Sequence, residues 1–197
     1  MTTQDDSWTG AWVANKILDH DQVSKVEVVG PRLLHVVRKK HPDVMVATVA
    51  IEKLTLRVLR DVLVDVKQVD FVTNVPNSAF TDGNAIKFAS AWQFSIGGMK
   101  DLYRALNERD VAAYVNPGVA FIERGLRQHS RVVDFTRLAD SKYMVARRER
   151  SDVYVVFLNE YELTADHVRS AKDKYGSFTM LVNTNPNGGG RPPTRVR

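Results

Sequence analysis

Two aspartates and a lysine in this chain have the types and spacing needed to bind a metal ion and activate water. Pro42-Asp43 is followed about twenty residues later by Asp65-Val66-Lys67. Two carboxylates can hold Mg²⁺ while leaving positions open for water and a phosphate oxygen. A neighbouring lysine would orient or activate that water. Asp43, Asp65 and Lys67 are therefore candidate catalytic residues, with Asp43 and Asp65 as the metal ligands.

This pattern resembles the Pro-Asp and Asp/Glu-x-Lys signature of restriction-endonuclease-like metal nucleases. The resemblance covers the five residues of the two segments above and no more. In that family the Asp-x-Lys element lies on a strand beside the first aspartate. The resemblance implies a Mg²⁺-dependent nuclease if residues 52–67 form two strands, with Glu27 as a further candidate acid.

Asparagine and proline follow three predicted strands, at residues 72–77, 115–118 and 182–187. Such residues are common in turns, where they supply local hydrogen bonds and a preset φ angle. In open α/β sheets, however, ligands bind beyond the carboxyl ends of the strands, and amide side chains both donate and accept hydrogen bonds. This edge of the sheet therefore provides candidate ligand-binding residues: Asn74, Asn77, Asp82, Asn159, Glu160, Asn183 and Asn185.

Basic residues are concentrated between residues 124 and 150, where Phe135 and Tyr143 lie among them. A hairpin with these side chains could line a groove for a phosphate backbone. The alternative is a charged, solvated edge strand, since charge keeps sheet edges soluble. The candidate nucleic-acid-binding residues are Arg124, Arg127, Arg147, Arg148, Arg150 and, in the carboxyl-terminal segment, Arg191.

The composition is that of a globular protein, and its net charge favours an anionic partner mildly. The 197 residues are 44% hydrophobic, and the formal charge of +5 favours association with phosphate groups. The chain has no cysteine, and it has no apolar run long enough to cross a membrane. Its first residues lack the basic and then apolar pattern of a signal peptide. We therefore expect a cytoplasmic protein with no membrane association.

Residues 152–188 predict a strand, a helix and a second strand. Residues 153–158 form an unbroken apolar run, typical of a strand buried on both faces. Thr164 is suited to the N-cap of the helix and Gly176 to its end. Residues 178–182 then form the second strand.

Residues 52–66 fit two patterns. Their apolar residues recur at helical spacing over the whole segment, whereas the alternation expected of strands breaks between Val58 and Val62. We therefore predict a helix, which makes residues 44–51 and 69–75 the strands of a second β-α-β unit. A β-hairpin here would instead favour the nuclease interpretation.

The remaining segments complete the predicted order of elements. Residues 1–10 are predicted to be disordered. Helices are predicted over residues 11–18, 32–40 and 118–129, with two more within 84–108. Strands are predicted over residues 26–29 and 111–115, and residues 131–138 and 142–148 are predicted to form an antiparallel pair.

Together these elements predict a single α/β domain over residues 11–187, with a flexible basic tail over residues 188–197. We expect a mixed, mostly parallel sheet with helices on both faces. Its parallel part would contain the strands at residues 44–51, 69–75, 153–158 and 178–182.

The first functional hypothesis is binding of DNA, RNA or a nucleotide through the basic surface and the asparagine-rich sheet edge. A Mg²⁺-dependent nuclease is one alternative, and a non-catalytic adaptor or structural protein of a larger assembly is another. The chain has no phosphate-binding glycine loop, dinucleotide fingerprint, serine-hydrolase elbow or zinc-protease motif. The sequence therefore leaves open whether the protein is an enzyme.

Overall fold

The computed structural model describes residues 6–76 and 78–187. The chain divides into two compact units, one ending at Asn116 and the other beginning at Pro117. This division departs from the single domain expected over residues 11–187. The cause lies in the strands, because those predicted to share one parallel sheet belong to two separate sheets. The predicted tail over residues 188–197 lies outside the described residues.

The first unit has eleven elements. In chain order they are α1 (Asp6–Leu18), β1 (Val23–Gly30), β2 (Leu33–Arg38), β3 (Val44–Val49), β4 (Lys53–Leu54), α2 (Leu56–Leu63), β5 (Phe71–Asn74), β6 (Phe80–Thr81), α3 (Gly83–Ala91), β7 (Ser95–Gly97) and α4 (Met99–Ala105).

The main sheet of the first unit has the strand order β1-β2-β3-β5-β7. The first three strands form an antiparallel meander, and β5 and β7 then extend the sheet in parallel. The sheet is therefore mixed, and the prediction of a mostly parallel sheet is wrong. The helix predicted over residues 32–40 is also wrong. Leu34, Val36 and Arg38 are buried and alternate with less buried residues, as in a strand with one face on the core.

Helices cover both faces of this sheet, as predicted. On one face, Val13 and Ile17 of α1 join Leu102 and Ala105 of α4 in a core cluster with Phe71. On the other face, buried residues of α2 and α3 pack with β3 and β5: Ala47, Val49, Leu59, Val62, Val72, Ala85 and Ala89. The helix predicted over residues 52–66 is confirmed in its central part. The hydroxyl of Thr55 caps it by accepting from the Val58 amide at 3.4 Å.

The predictions for the two ends of this unit are wrong. Helix α1 begins at Asp6, so residues 6–10 are helical where disorder was expected. The rings of Trp8 and Trp12 stack at 6.4 Å, and Thr9 and Gly10 are buried, which explains the longer helix. Residues 111–115 form no strand. Their segment is held by Ser95, whose hydroxyl lies 2.8 Å from the carbonyls of Ala112 and Tyr114.

The described residues of the second unit, 117–187, form six elements. They are α5 (Pro117–Gln128), β8 (Val132–Arg137), β9 (Lys142–Arg147), β10 (Arg150–Leu158), α6 (Ala165–Tyr175) and β11 (Met180–Asn183). The predicted antiparallel pair and the predicted β-α-β unit are both present. Strands β8, β9 and β10 are antiparallel neighbours, and β11 lies parallel to β10 in the order β11-β10-β9-β8.

The two units share one arrangement of elements and one strand register. Val23 is paired with Arg38 in the first sheet, and Val132 is paired with Arg147 in the second. The residue numbers of the two arginines, 38 and 147, differ by 109. The same difference relates every Cα pair between β8 and β9 to a pair between β1 and β2. It also relates all the pairs of the two β-α-β units, such as Val49 with Asn74 and Leu158 with Asn183.

An irregularity in the strand pairing of the first unit also recurs 109 residues later, in the second unit. The register shift between Val23 and Lys25 recurs between Val132 and Asp134. Counterpart residues are identical at several positions that are part of the shared framework: His20 and His129, Arg38 and Arg147, Leu54 and Leu163, Thr55 and Thr164, Asn74 and Asn183. The chain therefore contains two versions of one helix, three-stranded meander, helix and strand arrangement. The first version has five further elements, namely β4, β6, α3, β7 and α4.

Candidate nucleic-acid interface

An arginine at the end of the second strand anchors the following turn in each unit. In the first unit, the Nε atom of Arg38 donates to the carbonyl of Pro42 at 2.7 Å. In the second unit, the Nε and Nη2 atoms of Arg147 donate to the carbonyl of Ser151 at 3.0 and 2.7 Å. The acceptor follows the arginine by four residues in both cases. Arg147, predicted to bind nucleic acid, is therefore engaged in holding the turn.

The turn after Arg147 presents arginines at one end of the second unit. The amide of Arg148 donates to the carbonyl of Arg131 at 3.0 Å, and Arg150 is paired with Arg147 across the hairpin. We name Arg131, Arg148 and Arg150 the basic end. All three residues are exposed. Among the described residues, their side chains make no ion pair and no side-chain hydrogen bond.

The two predicted arginines of α5 differ in their surroundings. Arg127 donates to the carboxylate of Glu123 at 2.8 Å, and its guanidinium lies 5.4 Å from the centre of the Phe135 ring. Its charge is thus largely balanced within the helix. Arg124 is exposed about one turn before the helix ends. Arg191 lies outside the described residues.

The aromatic residues expected among these arginines belong to the core. Tyr143 is fully buried, and Phe135 packs against the same cluster as Val145 and Val155. Burial raises the pKa of Tyr143 to about 12. A groove in which bases stack on these two rings is therefore not present, and the basic end provides charge for phosphate contacts.

The two asparagines at the sheet edges have structural roles that can be seen in their hydrogen bonds. Asn74 donates from Nδ2 to the carbonyl of Ile51 at 2.8 Å, and its Oδ1 accepts from the Ile51 amide at 3.0 Å. Asn183 makes the same two bonds with the backbone of Glu160, at 2.7 and 3.1 Å. Each amide thus ties the chain beyond one strand to the end of its parallel neighbour.

Two of the other predicted edge residues lie beside Asn183, because its Oδ1 atom accepts from the backbone amides of both Glu160 and Asn185 at 3.1 Å. Asn185 accepts from the Asn187 amide at 3.0 Å, a local turn. Asp82 precedes α3 as its N-cap residue, without a side-chain cap bond. The Glu160 carboxylate lies 3.7 Å from His167, and Asn159 is exposed. Asn77 lies outside the described residues.

Asp43, the first predicted metal ligand, lies in a row of charged side chains with His35 and Glu27. The Nδ1 atom of His35 is 3.1 Å from Glu27 Oε2, and its Nε2 atom is 3.1 Å from Asp43 Oδ2. When protonated, His35 can donate from both nitrogens. Hydrogen bonding to Glu27, together with Asp43, raises the pKa of His35 against the opposing effect of partial burial.

We expect an NMR titration to place the pKa of His35 above about 6.5, and to show it lowered in E27Q and D43N. A raised folded-state pKa contributes stability that is fully present below the unfolded-state pKa and is lost as the pH rises through the folded-state value. The stability advantage of wild type over H35Q should therefore shrink across that range in urea denaturation. An advantage that grows with pH would contradict the charged arrangement of Glu27, His35 and Asp43.

The other residues of the nuclease pattern lie outside the sheet. Asp65 and Lys67 are exposed residues in the segment after α2, and they lie on no strand. This departs from the position that the resemblance requires for the Asp-x-Lys element. Across residues 6–76 and 78–187, no group of three or more histidine, aspartate or glutamate side chains is placed to hold a metal ion.

Sequence reasoning missed the turn of the first unit, which contains Lys39, Lys40 and His41. The helix predicted over residues 32–40 includes Lys39 and Lys40, whereas the structure places both in the turn that joins β2 to β3. A signal for it was present. The sequence contains the motif Arg-x4-Asp-Val-x-Val twice, at residues 38–46 and at residues 147–155.

No protein-family model, curated protein or solved structure significantly matches the chain. None of the helices in the described part of the chain is long and apolar enough to cross a membrane.

Proposed function

We propose that the protein binds nucleic acid through the phosphate backbone, using the basic end of the second unit. The observation that supports this proposal is that Arg148 and Arg150 lie at the turn between β9 and β10, where the amide of Arg148 donates to the carbonyl of Arg131. All three arginines are exposed and have no ion-paired acidic partner among the described residues. Guanidinium groups match phosphate geometry, because they donate two parallel hydrogen bonds. The net charge of +5 favours the same partner.

The scaffold beneath these arginines reduces the cost of binding. Arg147 fixes the turn through the Ser151 carbonyl, and Val145 and Val153 anchor the two strands in the core. A turn that is already ordered loses less conformational entropy when it binds. The contacts expected here are to phosphate, so they position the protein without reading sequence. We therefore expect weak binding with little sequence preference, with a Kd of about 10⁻⁴ to 10⁻⁶ M at physiological salt.

Fluorescence anisotropy with short labelled duplex DNA, single-stranded DNA and RNA tests this proposal. Affinity should fall steeply with salt, and R131Q/R148Q/R150Q should make the slope of log K against log salt shallower by about 3. The variant R57Q/K87Q/K172Q is the matched control, because it removes the same charge from exposed positions elsewhere. An absence of wild-type binding at low salt, or equal losses in both variants, would overturn the proposal.

The same labelled probes, incubated with Mg²⁺, address the nuclease alternative. Binding without cleavage is the result expected from the proposed function. Cleavage that depends on Mg²⁺ and disappears in D43N and in D65N would replace the binding module with an enzyme.

A further inference from the structure

Helix α4 covers part of one face of the sheet in the first unit. Its Leu102 is buried in one cluster with Ile17 of α1 and Phe71 of β5. At the end of α1, the Nε2 atom of His20 donates to the carbonyl of Tyr103 at 2.9 Å, which fixes α4 beside α1. Two helices therefore cover this face.

The second unit repeats α1 and the sheet but not α4. In residues 117–187, α5 is the counterpart of α1, and α6 is the counterpart of α2, whose buried residues belong to the cluster on the opposite face. The Val23 amide donates to the carbonyl of His20 at 2.8 Å. The Val132 amide donates to the carbonyl of His129 at 2.9 Å, so the turn after the helix is repeated as well. No element within residues 117–187 corresponds to α4.

Side chains in the positions that α4 covers are exposed in the second unit. Met180 is the counterpart of Phe71, which is 0% exposed, but Met180 is 48% exposed. Leu126 is only partly buried, whereas its counterpart Ile17 is 0% exposed. Phe121 of α5 is 63% exposed. With a valine of β11 that packs at the edge of the same cluster, these residues form an apolar surface that we name the open face: Phe121, Leu126, Met180 and Val182.

A hydrogen-bond donor lies at one end of the open face. The Nδ1 atom of His129 accepts from the Arg131 amide at 3.1 Å, as that of His20 accepts from the Gln22 amide at 3.2 Å. In the neutral ring, the remaining nitrogen, Nε2, is therefore the donor. In the first unit, Nε2 donates to Tyr103, one of the last four carbonyls of α4, which have no partner within a helix. His129 is exposed, and its Nε2 atom has no partner among the described residues.

The flank of α5 beside the open face has room for a helix and carries a positive charge. Phe121 precedes Gly125 by one turn, and Gly125 is the counterpart of Lys16, whose carbonyl accepts from a tyrosine hydroxyl of α4. A Cβ atom at Gly125 would meet no atom within 4 Å. Arg124 is exposed and makes no ion pair among the described residues, whereas Glu123, the one acid of α5, is paired within the helix. An acidic partner therefore complements the charge of this flank.

We propose that the open face binds one acidic amphipathic helix of a partner protein, in the position that α4 occupies in the first unit. The apolar stripe of the helix would cover Leu126 and Met180, as in other helix-in-groove complexes. Its acidic edge would lie beside Arg124, and a carbonyl of its last turn would accept from His129. The inference goes beyond the proposed function and does not depend on it. A second copy of the chain is the competing occupant.

Fluorescence anisotropy with a labelled peptide tests the inference on the full chain. The probe carries residues 99–106 of α4 with K100E and R104E, lengthened by alanine-rich flanks to about 18 residues so that it is helical. F121S/M180S should weaken binding at least about 10-fold, because apolar anchors dominate interface affinity. R124E should weaken binding of this probe but not of the same peptide with its native lysine and arginine.

The matched control is V64S/Y161S, which removes two apolar side chains that are 77% and 74% exposed and belong to neither α5 nor β11. Equal losses in both double variants, no binding by the wild-type protein, or equal binding of a scrambled peptide whose leucines share no face would overturn the proposal. A wild-type dimer that dissociates in F121S/M180S, seen by analytical ultracentrifugation, would assign the face to a second copy instead. Circular dichroism melting checks that every variant is folded. Nucleic-acid binding by F121S/M180S should match wild type, so that each proposal can fail without the other.

Discussion

Replacing Arg38 with alanine is expected to lower the free energy of unfolding by about 3 to 5 kcal/mol, the range for breaking a network of buried hydrogen bonds to a charged group. The guanidinium joins four backbone carbonyls, those of Pro42, Leu106, Glu108 and Arg109. Removal of the side chain leaves these acceptors without their charged donor and leaves a cavity beside β2. Urea denaturation followed by circular dichroism would measure the loss.

The counterpart in the second unit provides an internal control. Arg147 is more exposed and binds one carbonyl, that of Ser151. R147A should therefore cost only about 1 kcal/mol, the usual range for a single hydrogen bond. R38K should recover little of the stability lost in R38A, because one ammonium cannot reach four carbonyls in the fork geometry of a guanidinium. Equal losses in R38A and R147A would show that the additional carbonyls contribute nothing.

Arg38 also shows why one part of the first unit could not be predicted from local sequence. In the segment after α4, the carbonyls of Leu106 and Glu108 accept from Arg38, and those of Ala112 and Tyr114 accept from Ser95. Val111 and its neighbours have strand-forming residue types, and this favoured a strand there. Side chains from β2 and β7 hold the backbone in an irregular path instead. Such distant contacts leave no periodic pattern in the segment itself.

The buried strands were predictable because burial on both faces leaves a continuous apolar signal. Strands β3 and β10 were found in this way from their valine-rich runs, but Tyr154 of β10 is exposed in the structure. Strand β5 was predicted instead as the second strand of a β-α-β unit, after the helix over residues 52–66. Strand β2 was missed because Leu33, Leu34, Val36 and Val37 fit a helical stripe as well as an alternating one. Its pairing with β1 and β3 decided the outcome, and that pairing is tertiary.

The strands form two separate sheets because the chain contains the same arrangement of helix, meander, helix and strand twice. Two β-α-β units in one chain look, from sequence, like halves of one doubly wound sheet. Each is instead preceded by its own helix and meander, and this completes a sheet within each unit. The evidence in the sequence was a set of identical residues at matched spacing, such as Arg38 with Arg147 and Asn74 with Asn183.

The candidate site was predictable in composition and not in geometry. Arg148 and Arg150 were identified by charge, and the structure places them on an ordered turn. Arg127 and Arg147 have the same residue type but are engaged with Glu123 and Ser151. Charge counting cannot separate exposed cations from engaged ones, because the difference lies in which acceptors fold against them.

Substitution of the asparagines at the ends of β5 and β11 is expected to cause the second large loss of stability. N74D should lower the free energy of unfolding by about 2 to 4 kcal/mol, because a buried carboxylate would face the Ile51 carbonyl that now accepts from Nδ2. Asn74 is 3% exposed, whereas Asn183 is half-buried, so N183D should cost about 1 to 2 kcal/mol. Urea denaturation of both variants beside wild type measures the two losses.

The pH dependence of N74D distinguishes this structural role from a ligand-binding one. Burial and the facing carbonyl should raise the pKa of the introduced carboxyl in the folded protein, and its protonated form can donate to Ile51 as the amide does. The variant should therefore regain stability relative to wild type as the pH falls through that raised pKa, and lose it as the pH rises. A variant with wild-type stability at every pH, but with weakened binding of a nucleotide or nucleic acid, would instead make Asn74 part of a ligand site at the carboxyl edge of the sheet.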